Sequence, residues 1–289
     1  LRQRLVARGF SEARTSALIG RQTSGSGFAQ AVVELRNPLN EDHVALRPSL
    51  IPGLIAALER NIRAGAKSVR LFEAGRVFLP PDGEEIPRLA LLLCGEADGS
   101  SHWRRSRSGS LDFFDLKGGL AATGLGDVTL RRLERSEFAL AADIFLGEER
   151  RGIAGQLVSA QTSTSAPVFV AEIDLPNEFE TTSVGRKFGE LQRFPSVSRD
   201  IALIAPERLR HEEILAVIKN SGEPLLDRVE LFDLFSGRGA ESIGAGRKSL
   251  AYSLTYLDKN RTLTSDEVNA AHGRIRERLK SELGVELRE

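Results

Sequence analysis

Cysteine occurs once among 289 residues, at Cys94, tryptophan once, at Trp103, and methionine nowhere, position 1 included. A lone cysteine closes no internal disulfide, so the chain reads as a protein of a reducing compartment. The four histidines, His43, His102, His211 and His272, stand far from one another and from Cys94. They lack the close ligand pairs of a structural zinc site, and no bound metal is expected. Apolar runs are short: Leu89 to Cys94 is typical of the longest, against the ~20 residues of a spanning helix. No N-terminal stretch joins a basic start, an apolar run and a small-residue cleavage site. Forty Lys and Arg balance forty Asp and Glu, so no global field draws the chain toward nucleic acid or an anionic membrane. Any RNA contact must therefore be local. These absences point to a cytoplasmic chain with no membrane partner.

Catalytic signatures are missing as well. There is no G-x-S-x-G, no Walker A pattern and no G-x-G-x-x-G opening a helix after a strand. Gly237-Arg238-Gly239 and Gly244-Ala245-Gly246 lie between two strand patterns and read as a hairpin connection. No two carboxylates share an apolar setting that would push their pKa values apart. Asp115, in Asp112-Phe113-Phe114-Asp115, falls in the first turn of a helix, where a carboxylate needs no further role.

What remains is a globular composition, with 41% hydrophobic and 28% charged residues, which rules out disordered and collagen-like classes. The length suggests two domains. Leu1 to Gly9 reads as the tail of a helix, which suggests chain upstream. Val32 to Leu35 reads as a short strand, and Asn40 to His43 as loop. Leu50, Leu54, Ile55, Leu58 and Ile62 share one helical face between Leu50 and Ala64, with Pro52 in the first turn and Gly65 as the stop. Ser68 to Phe78 is a strand pattern interrupted at Gly75, and Arg88 to Cys94 a strand apolar on both faces and therefore central. A polar loop from Gly99 to Ser110 carries His102, Trp103, Arg104, Arg105 and Arg107. A helix follows from Phe113 to about Ala122, then strands at Val128 to Leu133, Ala139 to Leu146, Gly152 to Val158 and Val168 to Leu175. The architecture expected is α+β, a mainly antiparallel sheet with flanking helices.

Pro176 to Lys187 has no apolar period and is the linker candidate. Beyond it, strands at Ile201 to Ile204, Val229 to Phe235, Ser249 to Leu257 and Val285 to Leu287 alternate with helices at His211 to Asn220 and Ser265 to Leu283. The order βαββαβ is the ferredoxin-like split motif. The last helix is announced by the capping box Thr264-Ser265-Asp266-Glu267 and by Val268, Ala271, Ile275 and Leu279 on one face.

Several collinear segments carry a resemblance. Asn37-Pro38-Leu39-Asn40-Glu41-Asp42, Leu46-Arg47-Pro48-Ser49-Leu50-Ile51-Pro52-Gly53-Leu54 and Leu71-Phe72-Glu73-Ala74-Gly75-Arg76-Val77-Phe78 come first. Ser101-His102-Trp103 and Asp112-Phe113-Phe114-Asp115-Leu116-Lys117-Gly118 follow. Then come Arg193-Phe194-Pro195, Arg199-Asp200-Ile201-Ala202, Leu231 to Gly237, Lys248-Ser249-Leu250-Ala251 and Arg261-Thr262-Leu263-Thr264. Together they resemble the β subunits of bacterial phenylalanyl-tRNA synthetases nearly end to end, as a C-terminal portion.

The resemblance implies that residues 1–183 form a class II synthetase-like module and residues 188–289 a ferredoxin-fold anticodon-binding domain. Class II chemistry needs arginines that meet charge developing on the transferring phosphate. Arg76 stands in the segment resembling the second class II motif, but Leu79-Pro80-Pro81 follows where a further arginine belongs, and no strand resembles the third motif. The module is therefore expected to be non-catalytic, with Arg76 a residual motif residue or the ion-pair partner of Glu73. The implied partners are the synthetase α subunit and tRNA(Phe), and the module could also dimerise. ATP and Mg2+ belong to the complete enzyme, with no cofactor expected on this chain.

In the second domain the charge is even, 16 Lys and Arg against 17 Asp and Glu from Phe188 to Glu289. The resemblance puts Phe235 where an aromatic ring stacks on the anticodon wobble base, with Ala202 and Ser249 lining the same pocket. Arg193, Arg199, Arg247 and Lys248 are the phosphate-contact candidates. The residues alone leave Phe235 open as a core side chain and the basic residues as solvated surface charges. Two other functions stay open: a free-standing class II-like enzyme using ATP, and a regulatory protein binding an amino acid.

Overall fold

The structure, a computed structural model, describes residues 1–23, 27–29, 31–97, 109–176, 193–236, 243–244 and 246–288. The chain divides into two compact units, Leu1–Gly185 and Arg186–Glu289. The linker expected over 176–187 lies outside the described residues except for Pro176, as do the basic loop at His102 to Arg107 and the glycines of 237–239.

The first unit is built on a seven-stranded sheet. Its strands are β1 (Ser11–Glu12), β5 (Ser68–Leu79), β6 (Glu84–Gly95), β7 (Val128–Leu133), β8 (Phe138–Leu146), β9 (Glu149–Leu157) and β10 (Val168–Asp174). Their order is β1-β5-β6-β10-β9-β8-β7, antiparallel except for the parallel pair β1–β5. A small sheet, β2 (Leu18–Ile19), β4 (Ala45–Leu46) and β3 (Val33–Glu34), stands apart. Helices α1 (Arg2–Val6) and α3 (Phe113–Thr123) cover one face of the large sheet and α2 (Ile51–Arg63) the other.

The apolar period of α2 buries Ile51, Leu54, Ala57 and Leu58 against Leu71, Val77, Leu92 and Val170, each large side chain contributing about 1.5–3 kcal/mol. β6 and β10 are covered on both faces, as the unbroken run Leu89 to Cys94 suggests. β5, in contrast, is not interrupted at Gly75 but pairs continuously with β6 through it. The glycine serves a close approach instead, since a Cβ there would lie 2.6 Å from Nη2 of Arg47, whose side chain is pinned from several sides. α3 opens with a capping box in which the Asp112 carboxylate accepts the Phe114 and Asp115 N–H groups and Asp115 accepts the Asp112 N–H.

The second unit has strands β11 (Val197–Pro206), β12 (Leu226–Phe235), β13 (Arg247–Tyr256) and β14 (Glu286–Arg288), with helices α4 (His211–Lys219) and α5 (Ser265–Leu283). The chain order is βαββαβ and the sheet order β12-β13-β11-β14, all antiparallel. Strand alternation sends Ile201, Leu203, Leu250, Tyr252, Leu254 and Tyr256 to the face covered by Ile214 and Ile218 of α4 and Val268, Ala271, Ile275 and Leu279 of α5. The Thr264 hydroxyl and the Glu267 carboxylate close the α5 capping box, and Arg261 adds two bonds to that carboxylate. These contacts hold the Glu267 carboxyl down at about 2.

Candidate nucleic-acid interface

Both helices of the second unit lie on one face of its sheet, so the other face is open. Antiparallel partners share a face, and the register therefore reads directly as rows across it. One row runs Phe235, Ser249, Ile204, Glu286, and the next Asp233, Ala251, Ala202, Arg288. Beyond them lie Glu230, Ser253, Asp200 and then Arg228, Thr255, Ser198. The middle strands carry alanine, serine, threonine and one isoleucine, which leaves a low floor beside the taller Phe235.

Phe235 reaches this face through a β-bulge. Leu231 pairs with Tyr252, whose side chain points toward the helices, and simple alternation would send Phe235 the same way. The register shifts between Leu231 and Asp233, leaving Phe232 as the extra residue, so Phe235 pairs with Ser249 on the open face. A bulge re-aims every side chain after it. Phe235 is 42% exposed, and the choice between core and surface falls to surface.

The back of the platform is tied down through β13. Tyr252 hydrogen-bonds Nδ1 of His211 on α4 at 2.9 Å with the rings stacked, and Tyr256 bonds Nδ1 of His272 on α5 at 3.1 Å. Burial pushes both phenols up, and burial with Arg276 and Arg199 nearby pushes the His272 imidazole down.

Of the seven residues assigned to RNA contact, Phe235, Ser249, Ala202 and Arg247 share the open face. Arg247 is engaged there with Glu286 at 2.6 Å. Arg199 and Lys248 do not share that face. Arg199 pairs with Leu254 and Lys248 with Ala205, both core positions, so the two side chains leave from the helix side. Arg199 bonds Asn269 of α5 and Lys248 acts on Glu213 of α4. Arg193 is exposed and precedes β11. Sequence reasoning missed Asp233 and Arg288, because only the register brings them beside Ala202.

In the first unit, Arg76 is not the partner of Glu73. Its exposed side chain pairs with Glu85 across the β5–β6 hairpin. Glu73 is buried and accepts from Nη1 of Arg47 at 2.9 Å and from the Thr15 hydroxyl at 2.7 Å. A second buried carboxylate, Glu172, accepts from the Leu50 N–H at 2.5 Å, the Ser49 hydroxyl at 3.0 Å and Nη1 of Arg88 at 2.9 Å. Burial pushes its carboxyl up, against the pull of those three donors. Arg88 also reaches Asp174 at 2.5 Å and the Pro48 carbonyl at 3.0 Å. This network floors a cavity of about 330 Å³ whose wall includes Phe28, Arg135, Glu137 and Arg150.

Comparison with known families separates the two units. Residues 1–175 match the family model described as phenylalanyl tRNA synthetase beta chain CLM domain, and residues 192–288 match the ferredoxin-fold anticodon binding domain. The chain belongs to the phenylalanyl-tRNA synthetase β-chain family. It is 34% identical over 287 residues to the phenylalanine–tRNA ligase beta subunit of Bacillus thuringiensis subsp. konkukian, covering 95% of this chain and 35% of that one. It is 32% identical over 306 residues to the beta subunit of Dehalococcoides mccartyi strain CBDB1, covering 100% and 36%. The chain thus spans about a third of the length of these relatives. A pyrrolysyl-tRNA synthetase from Desulfitobacterium hafniense matches at 18% identity and TM-score 0.44, over 60% of this chain and 63% of that one.

Among the described residues no cluster of three or more His, Cys, Asp or Glu could hold a metal ion. The cavity's Arg88 is spent on Glu172 and Asp174, and Arg150 on Asp143 at 2.6 Å. No helix among the described residues is long and apolar enough to cross a membrane.

Proposed function

We propose that this chain forms the partner-holding and tRNA-contacting part of a phenylalanine–tRNA ligase β subunit and makes no bond itself. The first unit is a class II synthetase-like module whose polar groups serve its own architecture, which is the role of Arg47, Glu73, Arg88 and Glu172. ATP and Mg2+ act in the complete enzyme, on the α subunit, in the cytoplasm where tRNA is charged. The second unit holds the anticodon loop, so that the acceptor end of tRNA(Phe) meets the partner's site. Such positioning lowers the barrier by fixing the geometry of the reactants.

The observation that carries this reading is the exposed Phe235 ring beside a floor of small side chains, on a four-stranded sheet with both helices behind it. An open sheet bearing an aromatic is a stacking platform for unpaired bases. Phe235 supplies the ring, and Ser249 and Ala202 leave room beside it. Of the cationic candidates Arg247 shares that face at the Phe235 end, and Arg193 precedes β11 at the other end.

The test is a titration of tRNA(Phe) against the full chain, with and without purified α subunit, repeated with Phe235→Ala. Losing a base-stacking ring costs about 1–3 kcal/mol, a weakening of about fivefold to a hundredfold. An α subunit that does not co-elute, together with unchanged tRNA affinity for the variant, would sink the proposal.

A further inference from the structure

Among the described residues the open face of the second unit carries three arginines, and their states differ. Arg228 is paired with Glu230 at 3.2 Å and Arg247 with Glu286 at 2.6 Å. Arg288, exposed at the end of β14, makes no hydrogen bond or ion pair among the described residues. Its cross-strand partner is Ala202, and Ala251 and Asp233 complete the row. We infer that Arg288 is a phosphate contact for the RNA strand whose base stacks on Phe235, an inference that rests on the proposed anticodon reading.

Three steps lead there. First, strands in a sheet lie about 4.8 Å apart, so Arg288 stands about 14 Å from the β12 edge that bears Phe235 and Asp233. That distance exceeds the ~8 Å screening length at physiological salt, and Asp233 therefore leaves the guanidinium largely uncompensated. Asp200, a diagonal neighbour on β11, and Glu286, two residues back on the same face of β14, are nearer, yet neither forms an ion pair with Arg288 among the described residues, and Glu286 is engaged with Arg247.

Second, the floor between Phe235 and Arg288 is Ser249, Ala251, Ala202 and Ile204, with no charge in the way. A few nucleotides of extended RNA span that width. A strand stacked at one edge would bring backbone phosphate to the other.

Third, an unpaired guanidinium offers its full set of donors to a phosphate, whereas Arg247 would first have to leave Glu286. Arg288 is thus the side chain on this face best prepared to meet the backbone.

The experiment is binding of an unmodified tRNA(Phe) transcript to the full chain over a series of salt concentrations, for the parent, Arg288→Gln, Arg288→Lys and Phe235→Ala. Each phosphate neutralised on a single strand contributes about −0.7 to the slope of log K against log salt. Arg288→Gln should make the slope shallower by about that amount, and Arg288→Lys should keep it. Phe235→Ala should weaken binding severalfold with the slope unchanged. If Arg288→Gln leaves the slope as it was while Phe235→Ala weakens binding, the phosphate assignment is wrong and the anticodon reading stands. If Phe235→Ala also changes nothing, the reading itself falls and takes this assignment with it.

Discussion

Glu172 of β10 organises the start of α2 from 122 residues away in sequence, and its removal gives a sharp test of how the first unit is built. Gly53, at the N3 position of α2, has no side chain to reach back to the N–H of the N-cap Leu50, and the Glu172 carboxylate accepts that N–H instead. Ser49 and Arg88 complete the set. Removing one member of a buried ion pair costs about 3–5 kcal/mol, because the other charge is left without compensation. Arg88 keeps Asp174 and the Pro48 carbonyl and is 17% exposed, which puts Glu172→Ala at the lower end, about 3 kcal/mol. Glu172→Gln keeps an acceptor for Leu50 and Ser49 but loses a charged hydrogen bond, a cost of about 1.5–3 kcal/mol. In a unit of this size 1 kcal/mol moves the melting temperature by about 2–4 °C. Calorimetry should therefore show the first unit's transition falling by about 6–12 °C for Glu172→Ala and less for Glu172→Gln. A shift below about 2 °C for the alanine variant would refute the argument that this carboxylate anchors α2.

Two further outcomes follow from the second unit. Burial lowers the His272 pKa, so the folded domain resists a proton that the unfolded chain accepts, and the stability due to this group is present above about pH 6.5 and lost as pH falls through the lowered value. Chemical denaturation between pH 7.5 and 5 should show that loss in the parent and a smaller one in His272→Phe; equal slopes would contradict the assignment. Deletion of Phe232 should remove the bulge yet leave Asp233 opposite Ala251 and Phe235 opposite Ser249, so tRNA binding should stay close to that of the parent, whereas deletion of Leu234 should bring Phe235 opposite Leu250, toward the helices, and weaken binding as Phe235→Ala does. Equal binding by the two deletions, with native circular dichroism, would mean that the register does not aim the ring.

Local signals in this sequence carried as far as elements and no further. The α5 capping box, the apolar face of α2 and the double-sided run Leu89 to Cys94 each state their structure within a few residues, and the structure has them there. Gly75 misled because a glycine inside a strand can mark a break or a close approach, and only the position of Arg47 decides between them. The same holds for charge partners: Glu73 and Arg76 are three residues apart on one strand, an odd separation that turns them to opposite faces, so Arg47 and Glu85 take them instead. The interface residues depend on register, which alternation alone does not supply. Arg199 and Lys248 leave from the helix side, while Arg288 lies far along the chain and arrives beside Ala202 through β14. Phe235 is the clearest case, since counting alternation from Leu231 sends it to the helix side unless Phe232 is skipped, and only the register shows that it is.

The proposed stacking of the anticodon loop on Phe235, at the open sheet of the second unit, is tested by the affinity of the full chain for the isolated anticodon stem–loop of tRNA(Phe), compared between the parent and Phe235→Ala. The hairpin should bind, compete with intact tRNA(Phe), and lose at least about fivefold in affinity with the variant. A hairpin that fails to compete, or binds both proteins equally, would contradict it.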